Sequence, residues 1–190
     1  MKYFKKIVGE RIYLAPRVAG EEEAEKFAEW LNEFKTTDYL GRSGAIITFQ
    51  GEKEYLEKAE KDDKNYVFYI VAKDGDKLIG TIGLESIKNI ERYATLGVFI
   101  GDKEFRNNGY GTEAIKLLLD YGFNYLNLHG VKLNVMAFNE IAIKCYEKCG
   151  FKKAGRVRES TFVNGKYYDV ITMDILENEF KEDVIKNKNV

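Results

Sequence analysis

The sequence predicts an α/β fold built on a mixed, mostly antiparallel sheet flanked by helices, and three observations carry that expectation. Apolar runs of strand length alternate with helical stretches in the order β-α-α-β-β-β-α-β-α-β-β. Asp74-Gly75 and Asn164-Gly165 each separate two apolar runs, as residues that accept positive φ do in tight hairpin turns. The 190 residues contain no linker and no internal repeat, so 1–190 reads as one domain long enough to bury a full core.

Each element has a local reason. Arg11 to Ala15 alternates as an opening strand and stops at Pro16, which has no N–H for a sheet ladder. Glu21 to Phe34 is rich in Glu, Ala and Lys, and Phe27, Trp30, Leu31 and Phe34 form a stripe at helical spacing that suits a core-facing helix. Thr36 to Phe49 has no clean period and reads as a substrate-facing loop, followed by a helix over about Glu52 to Lys61. Tyr66 to Lys73 and Lys77 to Ile87 make the first hairpin, and Tyr93 to Ile100 the next strand. A helix from about Thr112 to Leu126 and a strand from Lys132 to Ala137 come next. Asn139 is a good N-cap and Gly150 a good stop for the helix between them. Val157 to Phe162 and Tyr167 to Leu176 form the last hairpin, and the charged tail from about Glu177 is expected to fray.

Composition excludes several function classes. A net charge of −1 gives no support for nucleic-acid binding, and no apolar run approaches membrane-spanning length. Met1 to Lys6 lacks the apolar stretch of a secretion signal, so a cytoplasmic protein is expected. Cys145 and Cys149 stand four apart with no further Cys to complete a zinc set; both are expected as free thiols, and no metal is expected. His129, the one histidine, lies in a turn-like Leu-His-Gly and gives a nucleophile triad little support.

The chemistry concentrates in two segments. Arg106-Asn107-Asn108-Gly109-Tyr110-Gly111-Thr112 joins an apolar strand to a helix, which leaves several backbone N–H groups unpaired in front of the positive end of the helix dipole. Gly109 and Gly111 permit close approach of a pyrophosphate, and Arg106 can add charge at its rim. A tight strand-to-helix turn is the other reading of those residues alone. No Gly-Lys-Ser/Thr follows, and the glycine spacing is wrong for a dinucleotide fingerprint, so nucleotide hydrolysis and hydride transfer fall behind. About thirty residues on, Asn139 and Tyr146 lie two helical turns apart on one side of a helix that ends at Gly150-Phe151.

Together these segments resemble the GNAT superfamily of acetyl-CoA-dependent N-acyltransferases, whose cofactor loop reads Gln/Arg-x-x-Gly-x-Gly/Ala. Arg106, Gly109 and Gly111 match that loop. Asn139, Tyr146 and Gly150-Phe151 match the family's later segment, and the likeness runs from roughly Lys6 to Phe180. It implies the GNAT acyl-CoA N-acyltransferase fold with a splayed sheet. Acetyl-CoA would then be held by the strand edge Val98, Phe99 and Ile100, by Arg106 through Thr112 (Asn107, Asn108, Gly109, Tyr110 and Gly111 between them), and by Asn139 and Tyr146.

The resemblance further implies direct acyl transfer to an amine, with Tyr146 protonating the departing thiolate and Asn139 orienting the cofactor arm or a water. An ammonium of pKa ~10 must lose a proton before attack. Glu85, on the strand ahead of Tyr93, is the first candidate for base or ammonium contact, with Glu159 and Asp169 as alternatives. Within the superfamily, Asp120 to Leu128 and Phe162 to Met173 are similar to the spermidine and ribosomal-protein acetyltransferase branch, whereas the amino-terminal third departs from it. The expected acceptor is a small-molecule amine (polyamine, amino sugar or aminoglycoside) or a peptide α-amine. A non-catalytic acyl-CoA sensor is the alternative, and family members often form dimers or larger rings, so a homo-oligomer is an open option.

Overall fold

Val, Ile, Leu and aromatic residues alternate with small or polar ones along most of the apolar runs, and they pair into a single sheet. The computed structural model describes residues 2–188. Its strands are β1 (Ile7–Val8), β2 (Ile12–Pro16), β3 (Tyr66–Ala72), β4 (Lys77–Lys88), β5 (Tyr93–Ile100), β6 (Gly130–Met136), β7 (Lys152–Val163) and β8 (Lys166–Leu176). They lie in the order β1-β2-β3-β4-β5-β6-β8-β7. The helices are α1 (Glu21–Leu31), α2 (Phe34–Leu40), α3 (Phe49–Glu60), α4 (Tyr110–Asn124) and α5 (Glu140–Lys148).

The two faces of the sheet bury different layers. Ile12, Leu14, Phe68, Ile70, Ile82, Leu84, Ala94 and Leu96 pack on α4 and α5, while Tyr13, Ala15, Tyr69, Val71 and Leu78 pack on α1 and α3. This alternation follows from side chains pointing to opposite faces at successive strand positions. Helix α4 is the central pillar. Its Ile115, Leu117, Leu118 and Leu119 are fully buried, each contributing about 1.5–3 kcal/mol of hydrophobic stabilisation.

One pairing sets up the site. β5 and β6 run parallel, but their register covers only Tyr93↔Gly130, Ala94↔Val131 and Thr95↔Lys132. Beyond Thr95 the strands part: Leu96 to Ile100 stay paired to β4, and Leu133 to Met136 to β8. The sheet is therefore splayed at its centre, in the strand the sequence assigned to that role.

Three expectations need correction. The helix expected over Glu21 to Phe34 ends at Leu31, because Asn32 turns back: its Nδ2 donates to Ala28 O at 2.7 Å and to Ile47 O at 2.6 Å. Phe34 opens the separate helix α2, is exposed, and does not belong to the core stripe. Thr36 to Leu40, expected as loop, is thus helical, with Thr36 and Thr37 buried. Finally, the tail from Glu177 does not fray within the described residues. A short turn at Glu177–Glu179 leads Phe180 onto Phe123, and Val184, Ile185 and Lys188 bond to the buried Asp120 of α4.

Candidate active site

The loop into α4 forms because two residues take left-handed conformations. After a short turn at Lys103–Phe105, Asn107 (φ 60°) and Gly109 (φ 82°) redirect the chain into the helix. At Gly109 the conformation itself favours glycine. Gly111 is different: it sits in the helix, and a Cβ there would meet only Ile100 Cγ1 at 3.9 Å. Neither conformation nor packing excludes a side chain, so its absence leaves the surface over the first turn open to a ligand. Glu113 N–H closes onto Gly109 O at 3.0 Å, whereas the N–H groups of Tyr110, Gly111 and Thr112 have no acceptor within the helix. Unpaired donors backed by the helix dipole suit a pyrophosphate, and the residues present fit that group.

The charges around this loop are arranged differently from the sequence expectation. Arg106 is turned inward, not onto the rim: its Nε donates to Ile100 O at 2.9 Å and its guanidinium reaches Gly101 O at 2.6 Å and Thr36 Oγ1 at 3.1 Å. It braces the end of β5, since two main-chain carbonyls there have no ladder partner. The cation beside the loop is instead Arg11, at the start of β2. Its guanidinium donates to Asn108 O at 2.9 Å, lies 4.4 Å from the Tyr110 ring centroid, and pairs with Glu113 Oε2 at 3.1 Å. Glu113 also accepts from the N–H of Arg11 at 2.9 Å. No local pattern could have shown this partnership, which spans about a hundred residues of chain. Asn108 Nδ2 donates to Glu104 O at 3.0 Å and holds the loop's shape.

At the open edge of β5 the peptide groups sort by alternation. Gly101 N–H donates to Ile79 O of β4 at 2.9 Å, so the Ile100 carbonyl of the same peptide faces the other way, where Arg106 takes it. The period of two then turns the N–H and C=O of Val98 toward the gap as well. Phe99 differs from its neighbours: its main chain faces β4, and its ring packs on Phe27 and Trp30 at 6.4 and 6.0 Å.

Across the gap, Asn139 caps α5. Its Oδ1 accepts from Ala142 N–H at 3.1 Å, which leaves Nδ2 as its free donor. Tyr146 lies on the core side of α5, edge-on to Phe151 at 6.0 Å. Burial pushes its phenol well above the ordinary value, aided by the neighbouring Cys145 and Cys149, and no hydrogen bond contributes. The fully buried tyrosines are satisfied: Tyr3, Tyr13 and Tyr69 donate to Glu23, Asp76 and Val18 O, whereas the part-buried Tyr146 has no such partner. Cys145 packs on the start of α4, its Sγ 3.2 Å from Thr112 Oγ1, and both cysteines are free thiols. The hydrogen bond from Cys149 lowers the Cys145 thiol against the opposing effect of burial.

The acidic candidates separate by their partners. Glu85, at the end of β4 opposite Thr95, is exposed. Asp169 is engaged: it accepts from Glu159 N–H at 2.8 Å and pairs with Arg156, which together hold its carboxyl below the usual range. Glu159 sits with φ 49° where β7 slips register. His129 pairs with Glu177 at 3.1 Å, far along the chain from these groups.

Residues 11–152, well over half of the chain, match the family model described as an acetyltransferase (GNAT) domain. The chain belongs to the GNAT family. A probable N-acetyltransferase, YjcK of Bacillus subtilis (strain 168), is 33% identical to the GNAT chain over 174 residues, 88% of this chain and 95% of that protein. The spermidine N(1)-acetyltransferase of Vibrio cholerae serotype O1 is 39% identical over 111 residues, 58% of this chain and 64% of that enzyme. A crystal structure of Vibrio cholerae spermidine N-acetyltransferase in complex with CoA and spermine aligns with a TM-score of 0.79 at 29% identity, covering 89% of this chain and 97% of that one. The GNAT chain is accordingly an acetyl-CoA-dependent N-acetyltransferase. No helix among its described residues is long and apolar enough to cross a membrane.

The loop makes a prediction of its own. Gly111→Trp should fill the open surface over the first turn of α4 and weaken CoA binding at least ~10-fold, the loss of one or two charge-assisted hydrogen bonds. Gly111→Ala should have little effect, because its Cβ has room. Titration calorimetry with CoA measures both, and unaltered affinity in the Trp variant would remove the pyrophosphate from this loop.

Proposed function

We propose that this enzyme moves the acetyl group of acetyl-CoA directly to a primary amine of a small molecule, with polyamines the first candidates, or to a peptide α-amine. The observation that carries this reading is the unpartnered phenol of Tyr146, held protonated by burial beside the splay between β5 and β6. Bound acetyl-CoA supplies the thioester. The N–H groups of Tyr110, Gly111 and Thr112 would hold its pyrophosphate, with Arg11 as the nearby positive charge. The outward peptide groups of Val98 and Ile100 would bind its arm, and one N–H would stabilise negative charge developing on the carbonyl oxygen.

Tyr146 would donate its proton to the departing thiolate, and Asn139 Nδ2 would orient the arm or a water. Glu85 would bind the acceptor ammonium or accept its proton through water. Polyamines lead the candidates because the spermidine N(1)-acetyltransferases of Vibrio cholerae and Escherichia coli are 39% and 37% identical over their matched segments. The test is thioester consumption with acetyl-CoA against spermidine, amino sugars, aminoglycosides and short peptides with free α-amines, alongside direct CoA binding. Turnover with one class would name the acceptor. Tight CoA binding with no turnover across the panel would favour an acyl-CoA sensor instead.

A further inference from the structure

Gly97 has no structural reason to be glycine. It lies inside β5, paired in regular register to β4, its φ is not positive, and an added Cβ would meet nothing within 4 Å. Glycine inside a strand loses more entropy on folding than other residues and packs nothing, so it weakens the strand. The other glycines of the central strands differ. At Gly80 a Cβ would strike Phe99 O at 2.0 Å, at Gly83 it would strike Val67 Cγ2 at 2.6 Å, and at Gly130 the Tyr93 ring at 2.2 Å. Those three are held by packing; Gly97 keeps open a space that the fold does not use.

That space has a definite place. Leu96 and Val98 face α4, so Thr95, Gly97 and Phe99 face the opposite side, where Phe99 meets α1. Gly97 pairs with Gly83 of β4, and the two make a strip with no side chain of its own; Val67 lies over its Gly83 half, and the Gly97 half is exposed. Thr81 and Phe99 bound it at one end, Glu85 and Thr95 at the other. The strip begins where β5 has left β6, and the adjacent Val98 carries peptide groups of the open edge. On β6, Lys132 and Asn134 face the same side, Asn134 held by Thr172 Oγ1 at 2.9 Å.

We propose that Gly97 is a specificity-determining residue for the acceptor, a step that rests on the acetyl-transfer reading above. The strip receives the amine-bearing end of the acceptor, which lies flat on the Gly97 backbone with its ammonium directed toward Glu85. The open floor at Gly97, with the exposed carboxylate of Glu85 beyond it, suits a primary alkylammonium with a slender, unbranched carbon next to nitrogen. Such a group is found at the end of a polyamine or of a peptide that starts with glycine.

The experiment compares the wild-type enzyme with Gly97→Ala and Gly97→Val, using spermidine and a glycine-initiated tripeptide as acceptors. Valine should cut acceptor kcat/KM by ~10-fold or more through misplacement of the amine, with alanine intermediate. CoA affinity should stay within about twofold, and the melting temperature should hold or rise, because valine favours strands. A glycine kept for folding would give the reverse, a lower melting temperature with acceptor kcat/KM unchanged. Undiminished turnover in Gly97→Val, or a loss of CoA affinity that assigns the strip to the cofactor, overturns the proposal alone. Absence of wild-type turnover with both amines rejects the acetyl-transfer reading for these acceptors, and this proposal falls with it.

Discussion

Tyr146→Phe should lower the acetyl-transfer rate by ~10²-fold or more while CoA affinity stays within about twofold, as expected on losing a positioned general acid. The substitution removes one hydroxyl that no hydrogen bond to the protein supports, so the edge-on contact with Phe151 and the fold should survive it. Burial raises the phenol's pKa, so Tyr146 stays protonated at every pH where the acceptor amine begins to lose its proton. The rising limb of the pH–rate profile must then belong to the acceptor amine, which reacts only once deprotonated. In Tyr146→Phe that limb should keep its midpoint while the plateau falls. Single-turnover rates with calorimetry on the same samples decide the matter, and an unchanged plateau would take Tyr146 out of the mechanism.

The reason Tyr146 could be singled out from sequence is that its signals are local. An N-cap at Asn139, a stop at Gly150 and a helix of known pitch place the tyrosine on the face of α5 without reference to the rest of the chain. The hairpin at Asn164 (φ 46°) and Gly165 (φ 79°) was equally legible, because both residues accept the turn's left-handed conformations. So was the loop into α4, where glycines and a strand-to-helix change coincide.

What escaped reading depends on partners far away in the chain. β1 is two residues long and exists because Ile7 and Val8 pair with Leu14 and Tyr13. Helix α2 has buried threonines in place of an apolar stripe, so no period announces it. The motif arginine Arg106 is drawn inward by carbonyls that the end of β5 leaves unpaired, and the cation lying beside the loop is Arg11, paired with Glu113. Gly97 escaped for a different reason. A glycine becomes informative only once the surrounding atoms show that the space above it is empty.

The tail is the clearest case of this non-locality, and it carries a large stability effect. Asp120, fully buried in α4, accepts from Asn124 Nδ2 at 2.9 Å, Val184 N–H at 2.9 Å, Ile185 N–H at 3.2 Å and Lys188 Nζ at 2.8 Å. Asp120→Ala should therefore destabilise the enzyme by about 3 kcal/mol, the low end for breaking a buried pair, because Lys188 can turn to water and to Asp183. Burial pushes the Asp120 carboxyl up, but Lys188, Asn124 and the two N–H groups outweigh it and hold the carboxyl below its usual value. A lowered folded-state pKa means the contribution is fully present above the unfolded value of ~3.9 and is lost as pH falls through the folded value. The gap between wild type and Asp120→Ala in urea unfolding should thus be constant near neutrality and should narrow below about pH 4. Limited trypsin digestion should also cut faster after Lys181 and Lys186 in the variant, since Lys186 N–H and Asn187 hold the same segment to Val8. Equal urea midpoints and equal cleavage rates would mean that the tail rests on α4 without stabilising it.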